Sequence, residues 1–306
     1  MDGILNVRKP KGVTSFDVVR RIKRAAHLKR VGHGGTLDPM AEGVLPIYLG
    51  RATRIIEYLD DTAKTYRAVV RLGVVTDTYD ADGQVLEVRD ATTVTREAVE
   101  RALAAFQGDI LQTPPMYSAL HHQGQRLYDL ARAGVEVERA PRPVTIYGLT
   151  LLDWEAPLAT LSVTCSKGTY VRSLAYDLGR ALGCGASLDA LERTRSGPFA
   201  IEDSNTLGAI EEACQQSSSL PLLPMDYPLA TWPVVCIDMQ QESDIRQGKS
   251  VSASAAPLAA SERPQEGLFW PRPSGFARAY GADGRLIAVL VWDEAVGSWR
   301  PHKVFP

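Results

Sequence analysis

Between Gly32 and Pro46 the chain reads Gly-His-Gly-Gly-Thr-Leu-Asp-Pro-Met-Ala-Glu-Gly-Val-Leu-Pro, and this run limits what the surrounding residues can form. Gly32, Gly34 and Gly35 open backbone angles that are closed to other residues. Pro39 pushes Asp38 toward an extended conformation. The run predicts a loop, outside regular structure, that displays one carboxylate beside a histidine and apolar residues. For a bare Asp-Pro pair an Asx-type turn is the simpler reading. The longer context favours a nucleophile over a solvated charge.

The 306 residues suffice for one large domain and a smaller one, and the 45% of hydrophobic residues can fill a core. No apolar run reaches membrane-spanning length. The segment Met1–Asn6 lacks the charged-then-apolar order of a signal peptide. A cytoplasmic protein without a membrane partner is expected. Cys165, Cys184, Cys214 and Cys236 are scattered and form no CxxC pair, so reduced thiols are expected and a zinc site is not. With no clustered ligands and no phosphate-cradling motif, neither a metal nor an organic cofactor is expected.

A net charge of −2 argues at first against a nucleic-acid partner, but its distribution argues the other way. Residues 1–35 hold nine Lys or Arg against Asp2 and Asp17, a local +7. Residues 200–260 hold Arg246 and Lys249 against eight acids, a local −6. Phosphate binding follows local potential rather than the sum. Thr14 to Asp17 reads as a capping box that opens a helix. Val18 and Ile22 then recur at helical spacing, while Arg20, Arg21, Lys23 and Arg24 occupy the other face. That face is expected to bind RNA.

Further along, residues 65–75 and 84–88 read as strands around an Asp82-Gly83 turn. Thr95 caps a helix running to about Phe106. Strands are expected at 143–154 and 159–165, and a helix from Val171 to Gly183. The interleaving predicts an α/β or α+β fold with a mixed, largely antiparallel sheet. After about residue 228 the character changes to short strands near 234–237, 276–280 and 285–292, with a loop over 251–275. Two domains are expected, 1–228 and 229–306.

Five ordered motifs carry a resemblance over about residues 1–200. They are Leu5–Ser15 with Lys9-Pro10-Lys11-Gly12, the Gly32–Pro46 run, Lys64-Thr65-Tyr66-Arg67 followed by Asp77–Gly83, Pro114–Leu120, and Ser166–Arg172. Together they resemble the bacterial tRNA pseudouridine synthases that modify uridine 55 of the T-loop. The resemblance implies the pseudouridine synthase fold, built on a bent antiparallel-rich sheet with the site in its central cleft. The placement of the small C-terminal β domain resembles that of the family's RNA-binding domain of PUA type. The implied reaction breaks the N1–C1′ bond of uridine, turns the base and rejoins it through C5.

In that reading Asp38 is the catalytic carboxylate, and three roles stay open for it: attack at C1′, attack at C6, or removal of a sugar proton. Tyr66 stands at the position of the family's active-site tyrosine. Arg172 is expected to pair with Asp38 and keep it ionised where desolvation would otherwise raise its pKa. His33 is expected to fill the gap left by flipped bases, Tyr170 to line the pocket and Leu191 to wall it. Lys9 and Asp80, in their motifs, are expected among the substrate-binding residues, as are Arg20, Arg21, Lys23 and Arg24. Glu192 stands where the family usually has a basic residue. The implied partner is the T-arm of tRNA, met by a monomer without an obligate protein partner. The competing readings are an RNA-guided pseudouridine synthase subunit and an RNA-binding or folding helper without catalysis.

Overall fold

The computed structural model describes all residues except 60–61, 119, 123, 217, 253–254, 257–268, 272–274 and 306. A ten-stranded sheet dominates it, and its strands lie in the order Asn205–Thr206, Gly3–Lys9, Glu42–Leu49, Ala186–Ser196, Lys64–Leu72, Leu158–Cys165, Arg142–Glu155, Gly108–Gln112. Val31–His33 pairs beside Glu42–Leu49, and Phe199–Ala200 beside Ala186–Ser196. Two pairings are parallel, Gly3–Lys9 with Asn205–Thr206 and Glu42–Leu49 with Ala186–Ser196; the others are antiparallel. The mixed, largely antiparallel sheet expected from the sequence is present.

Period-two alternation explains why Lys64–Leu72 sits near the centre. Tyr66, Ala68, Val70 and Leu72 all point into the core and are buried. Val18 and Ile22 of the helix Ser15–Ala25, Val99 and Leu103 of Arg96–Ala104, and Leu174 and Leu178 of Val171–Ala181 join them in one apolar cluster. The capping box at Thr14 forms as read: its hydroxyl accepts from the Asp17 amide, and Asp17 accepts from the Thr14 amide. A second cluster of Ile4, Val44, Tyr48, Ala52 and Phe199 is closed by the ten-residue 3-10 helix Gly50–Leu59.

Leu191, expected from the sequence as an apolar wall, belongs to a strand the sequence does not reveal, Ala186–Ser196, between Glu42–Leu49 and Lys64–Leu72. The strand's charges hid it: Asp189, Glu192, Arg193 and Arg195 interrupt any apolar run. The C-terminal residues form a separate five-stranded sheet in the order Ala255–Ala256, Val234–Cys236, Phe276–Tyr280, Leu286–Asp293, Ser298–Val304. Its last strand was not anticipated. The loop expected over 251–275 falls largely outside the described residues.

Candidate active site

Asp38 lies on the loop between the strands Val31–His33 and Glu42–Leu49, and that loop is fastened from below at several points. The Ser15 hydroxyl accepts from the Leu37 amide at 2.8 Å and donates to the Leu37 carbonyl at 3.1 Å. The Gly12 amide donates to the Pro39 carbonyl at 2.8 Å. Arg193, 1% exposed, donates to the carbonyls of Val44 (2.8 Å), Gly35 (3.1 Å) and Thr36 (3.3 Å). Six loop or flanking backbone groups are thus held by partners in other elements. A charged donor buried at a neutral carbonyl makes a stronger bond than an amide would.

Two glycines are required by this packing. A Cβ on Gly34 would lie 2.9 Å from the Tyr48 ring. Gly43 has φ +103°, and a Cβ there would lie 2.3 Å from the Arg193 carbonyl oxygen. Both neighbours are buried and the second is backbone, so neither can yield cheaply. Gly43→Ala is expected to cost about 1–3 kcal/mol of stability from backbone strain alone, with the close approach to Arg193 adding to it. Urea unfolding of the two proteins measures it, and an unchanged midpoint would contradict the close approach.

Asp38 meets Arg172 at 2.9 Å. Arg172, at the start of the helix Val171–Ala181, is buried and also approaches Asp80 at 3.4 Å. Its guanidinium donates further to the carbonyls of Tyr117 (2.9 Å) and Thr78 (3.3 Å). The arginine is therefore fixed from behind and presents one edge to Asp38. Asp80 accepts from the Thr78 hydroxyl and, at 3.2 Å, from the Asp82 amide. Burial pushes its carboxyl up, while Thr78 and Arg172 pull it down.

Tyr66 is 8% exposed and pairs in register with Arg193 on one neighbouring strand and Val163 on the other. Burial raises its phenol pKa; the Arg193 guanidinium opposes that and Asp38 adds to it. These groups meet in one cavity of about 380 Å³. Asp38, Tyr66, Tyr170, Arg172, Leu191 and Arg193 line it, with Lys64 and Lys167 at its walls. The volume falls within the range of small-ligand pockets, about 300–1,000 Å³. One carboxylate amid several cations suits a ligand that carries phosphates.

The structure places Asp38, Tyr66, Tyr170, Arg172 and Leu191 around the same cavity. It corrects two other assignments. Lys9 has no exposed surface, and its ammonium is bound to the carbonyls of Val13 (2.7 Å), Pro10 (3.0 Å) and Pro39 (3.5 Å). Burial pushes it down to about 8, partly offset by Asp38 and Glu42. It secures the Asp38 loop through Pro39 and offers no exposed surface to a ligand. Asp80, 5% exposed, stands behind Arg172 and orients it rather than a substrate. His33 is half-buried at the end of its strand, and burial beside Arg193 lowers its pKa, which favours the neutral ring. On the basic helix, Arg21 is tied to Glu211 and Arg20 to Asp17, while Lys23 and Arg24 are exposed. Arg193 was missed. Its signal lay in the alternation with Leu191, two residues earlier on the same buried face.

The profile of the TruB family pseudouridylate synthase (N terminal domain) matches residues 23–171. That of the tRNA pseudouridylate synthase B C-terminal domain matches residues 172–230. A tRNA pseudouridine synthase B of Dehalococcoides mccartyi (strain CBDB1) is 44% identical over 306 residues, covering 100% of this chain and 97% of that protein. One from Burkholderia pseudomallei (strain 668) is 46% identical over 97% of this chain and 95% of its own length. One from Clostridium tetani is 50% identical over 72% of this chain and 76% of its own. Among solved structures, a chain of an H/ACA RNP bound to a substrate RNA containing 2′-deoxyuridine shares the fold. Its TM-score is 0.70 at 24% identity, covering 99% of this chain and 85% of that one. Fold and site together define a pseudouridine synthase. The chain belongs to the TruB family of these enzymes.

Proposed function

We propose that this chain converts uridine 55 in the T-loop of tRNA to pseudouridine, acting alone and without a cofactor. The observation that carries the reading is the single ionisable loop carboxylate, Asp38, held by Arg172 at 2.9 Å beside Tyr66. A glycoside hydrolase normally sets two carboxylates across the scissile bond. The second acid near Asp38, Asp80, is turned away behind Arg172. One carboxylate suffices where the cleaved base stays in the pocket and is reattached. The N1–C1′ bond breaks, the uracil turns, C5 bonds to C1′, and the C5 proton leaves while N1 gains one.

The target base must leave its stack, which costs a few kcal/mol. Stacking on an aromatic ring returns about 1–3 kcal/mol. Tyr66 supplies that ring, Leu191 supplies the apolar wall, and Lys64 and Lys167 line the cavity near the phosphates that must follow the base in. Among the described residues no group of three or more His, Cys, Asp or Glu could hold a metal ion. No helix of the described residues is long and apolar enough to cross a membrane. We further propose that the chain works as a monomer in the cytoplasm, with residues 229–306 as a PUA-like RNA-binding domain following the catalytic domain 1–228.

The test is direct. Purified protein incubated alone with an unmodified tRNA transcript is expected to form pseudouridine at one position, 55, and a variant transcript lacking that uridine to form none. Turnover that required an added guide RNA or protein would favour the guided reading instead. Tight binding with no product would favour the folding helper.

Salt dependence tests the basic helix. Lys23 and Arg24 are exposed, whereas Arg20 and Arg21 already face carboxylates. The double substitution Lys23→Ala/Arg24→Ala is expected to reduce the slope of log K against log salt by about 0.7–0.9 per lost phosphate contact. Arg21→Ala is expected to change the slope less, because its charge is already matched by Glu211. An identical slope for wild type and the double variant would mean that this face does not meet RNA.

A further inference from the structure

The 3-10 helix Gly50–Leu59 has two engaged faces. On one, Ile56 and Leu59 line the cavity that holds Asp38 and Tyr66. Ile56 also packs on the strand that leads into the catalytic loop, since its Cδ1 lies only 3.2 Å from where a Cβ on Gly32 would stand. On the other face the helix grips the C-terminal sheet. Tyr58 stacks edge-on against Trp232 (5.3 Å), Phe276 (5.6 Å) and His302 (5.7 Å), and its hydroxyl bonds His302 Nδ1 at 2.7 Å. Arg54 donates to the Val304 carbonyl at 2.5 Å and lies over the Phe305 ring, and Glu57 pairs with Lys303. Ile55, fully buried, shares an apolar cluster with Leu229, Trp232, Val289 and Phe305.

This is more attachment than a tether needs. Ten residues make a short helix, and a 3-10 helix has poorer hydrogen-bond geometry than an α-helix, so its own backbone holds it weakly. Its position is set from outside, by the strands Gly3–Lys9, Val31–His33 and Glu42–Leu49 on one side and by the C-terminal sheet on the other. Alternate residues of the same helix, Ile56 between Ile55 and Tyr58, then transmit that position to the cavity wall. Packed cores pass on displacement because they hold few voids.

We propose that Tyr58 is a positioning residue for the pseudouridine synthase reaction: through it the C-terminal sheet helps set a second apolar side of the cavity, Ile56 and Leu59, in addition to the wall formed by Leu191, within which the flipped base is held. The inference rests on the reading of this cavity as the uridine site. The C-terminal residues then act on the rate of reaction as well as on RNA affinity. A misplacement of about 1 Å at a reacting site costs on the order of 10²-fold in rate.

The experiment compares full-length wild type with Tyr58→Ala, Tyr58→Phe, Arg54→Gln and Val251→Ala. Val251 is buried in the C-terminal sheet's own cluster, which contains no residue of the 3-10 helix, so its variant controls for general loss of stability. Each is assayed for tRNA Kd, for single-turnover rate at saturating enzyme, and for backbone hydrogen exchange over residues 31–38. Tyr58→Ala is expected to slow the single-turnover step roughly ten- to a hundredfold with Kd within about threefold. Tyr58→Phe, which keeps the ring packing, is expected to recover most of the rate. Arg54→Gln leaves the apolar cluster intact and is expected to slow the step in the same direction, which covers the case of a Tyr58→Ala protein that does not fold. Exchange over residues 31–38 is expected to quicken in Tyr58→Ala and not in Val251→Ala. Rates equal to those of Val251→Ala, or a loss confined to Kd, would overturn the proposal. Wild type inactive on tRNA would defeat the functional reading alone, and the exchange comparison would still decide whether the C-terminal sheet holds the cavity wall.

Discussion

Asp38→Asn is expected to abolish pseudouridine formation while leaving tRNA affinity within roughly tenfold of wild type, because the charge acts on the transition state more than on docking. Asparagine keeps the size and one oxygen of the side chain, so the loop survives: its anchors are the Ser15, Gly12, Lys9 and Arg193 bonds to backbone, none of which involves the Asp38 carboxylate. What disappears is the negative charge that Arg172 faces at 2.9 Å. Arg172 is buried, so losing its partner leaves a less compensated cation in the cavity; Asp80 at 3.4 Å retains it in place. The variant should therefore fold, bind and fail to turn over. Single-turnover assays with a binding titration on the same preparation decide it. Turnover by Asp38→Asn within about tenfold of wild type would remove Asp38 from the chemistry.

The parts of this site that were legible in the sequence are those whose chemistry is local. The Asp38 loop is legible through its glycines and Pro39, and the helix Ser15–Ala25 before it through a capping box, because both are short-range backbone requirements. Arg172 and Tyr66 were reachable through the motifs around them. What stayed hidden depends on which strand lies beside which. Arg193 becomes a clamp only because Ala186–Ser196 runs between Glu42–Leu49 and Lys64–Leu72, and pairing between distant segments leaves no short-range mark. The same charges that let this strand reach across to the loop interrupt the apolar run that would have marked it as a strand. Lys9 and Asp80 failed in the opposite direction. A charged residue in a motif was read as meeting substrate, whereas burial turns each toward the protein: Lys9 to three carbonyls, Asp80 to Arg172. The 3-10 helix Gly50–Leu59 was invisible because its apolar residues serve two different partners, which blurs a single amphipathic stripe.

Tyr66 separates stacking from proton transfer, and its surroundings set the expected result. The ring lies between Val163 and Arg193 in the sheet and is 8% exposed, so its plane is held whether or not a hydroxyl is present. Burial raises the phenol pKa, so at neutral pH the hydroxyl is protonated. To take the C5 proton it must first give up its own, a loss that burial and the neighbouring Asp38 charge both oppose. Tyr66→Phe is expected to bind tRNA as wild type does and to lose about 10²–10⁴ in single-turnover rate, the usual worth of general acid–base assistance. Tyr66→Ala is expected to lose the same rate and, in addition, about 1–3 kcal/mol of binding from the missing stack. Because the phenol is raised rather than lowered, the wild-type rate should climb with pH toward the limit of protein stability, while the Phe variant should stay flat. Equal rates for Phe and Tyr would leave Tyr66 as a stacking surface alone. Equal binding and rate for Ala as well would put the base elsewhere than in the cavity between Asp38, Arg172 and Leu191.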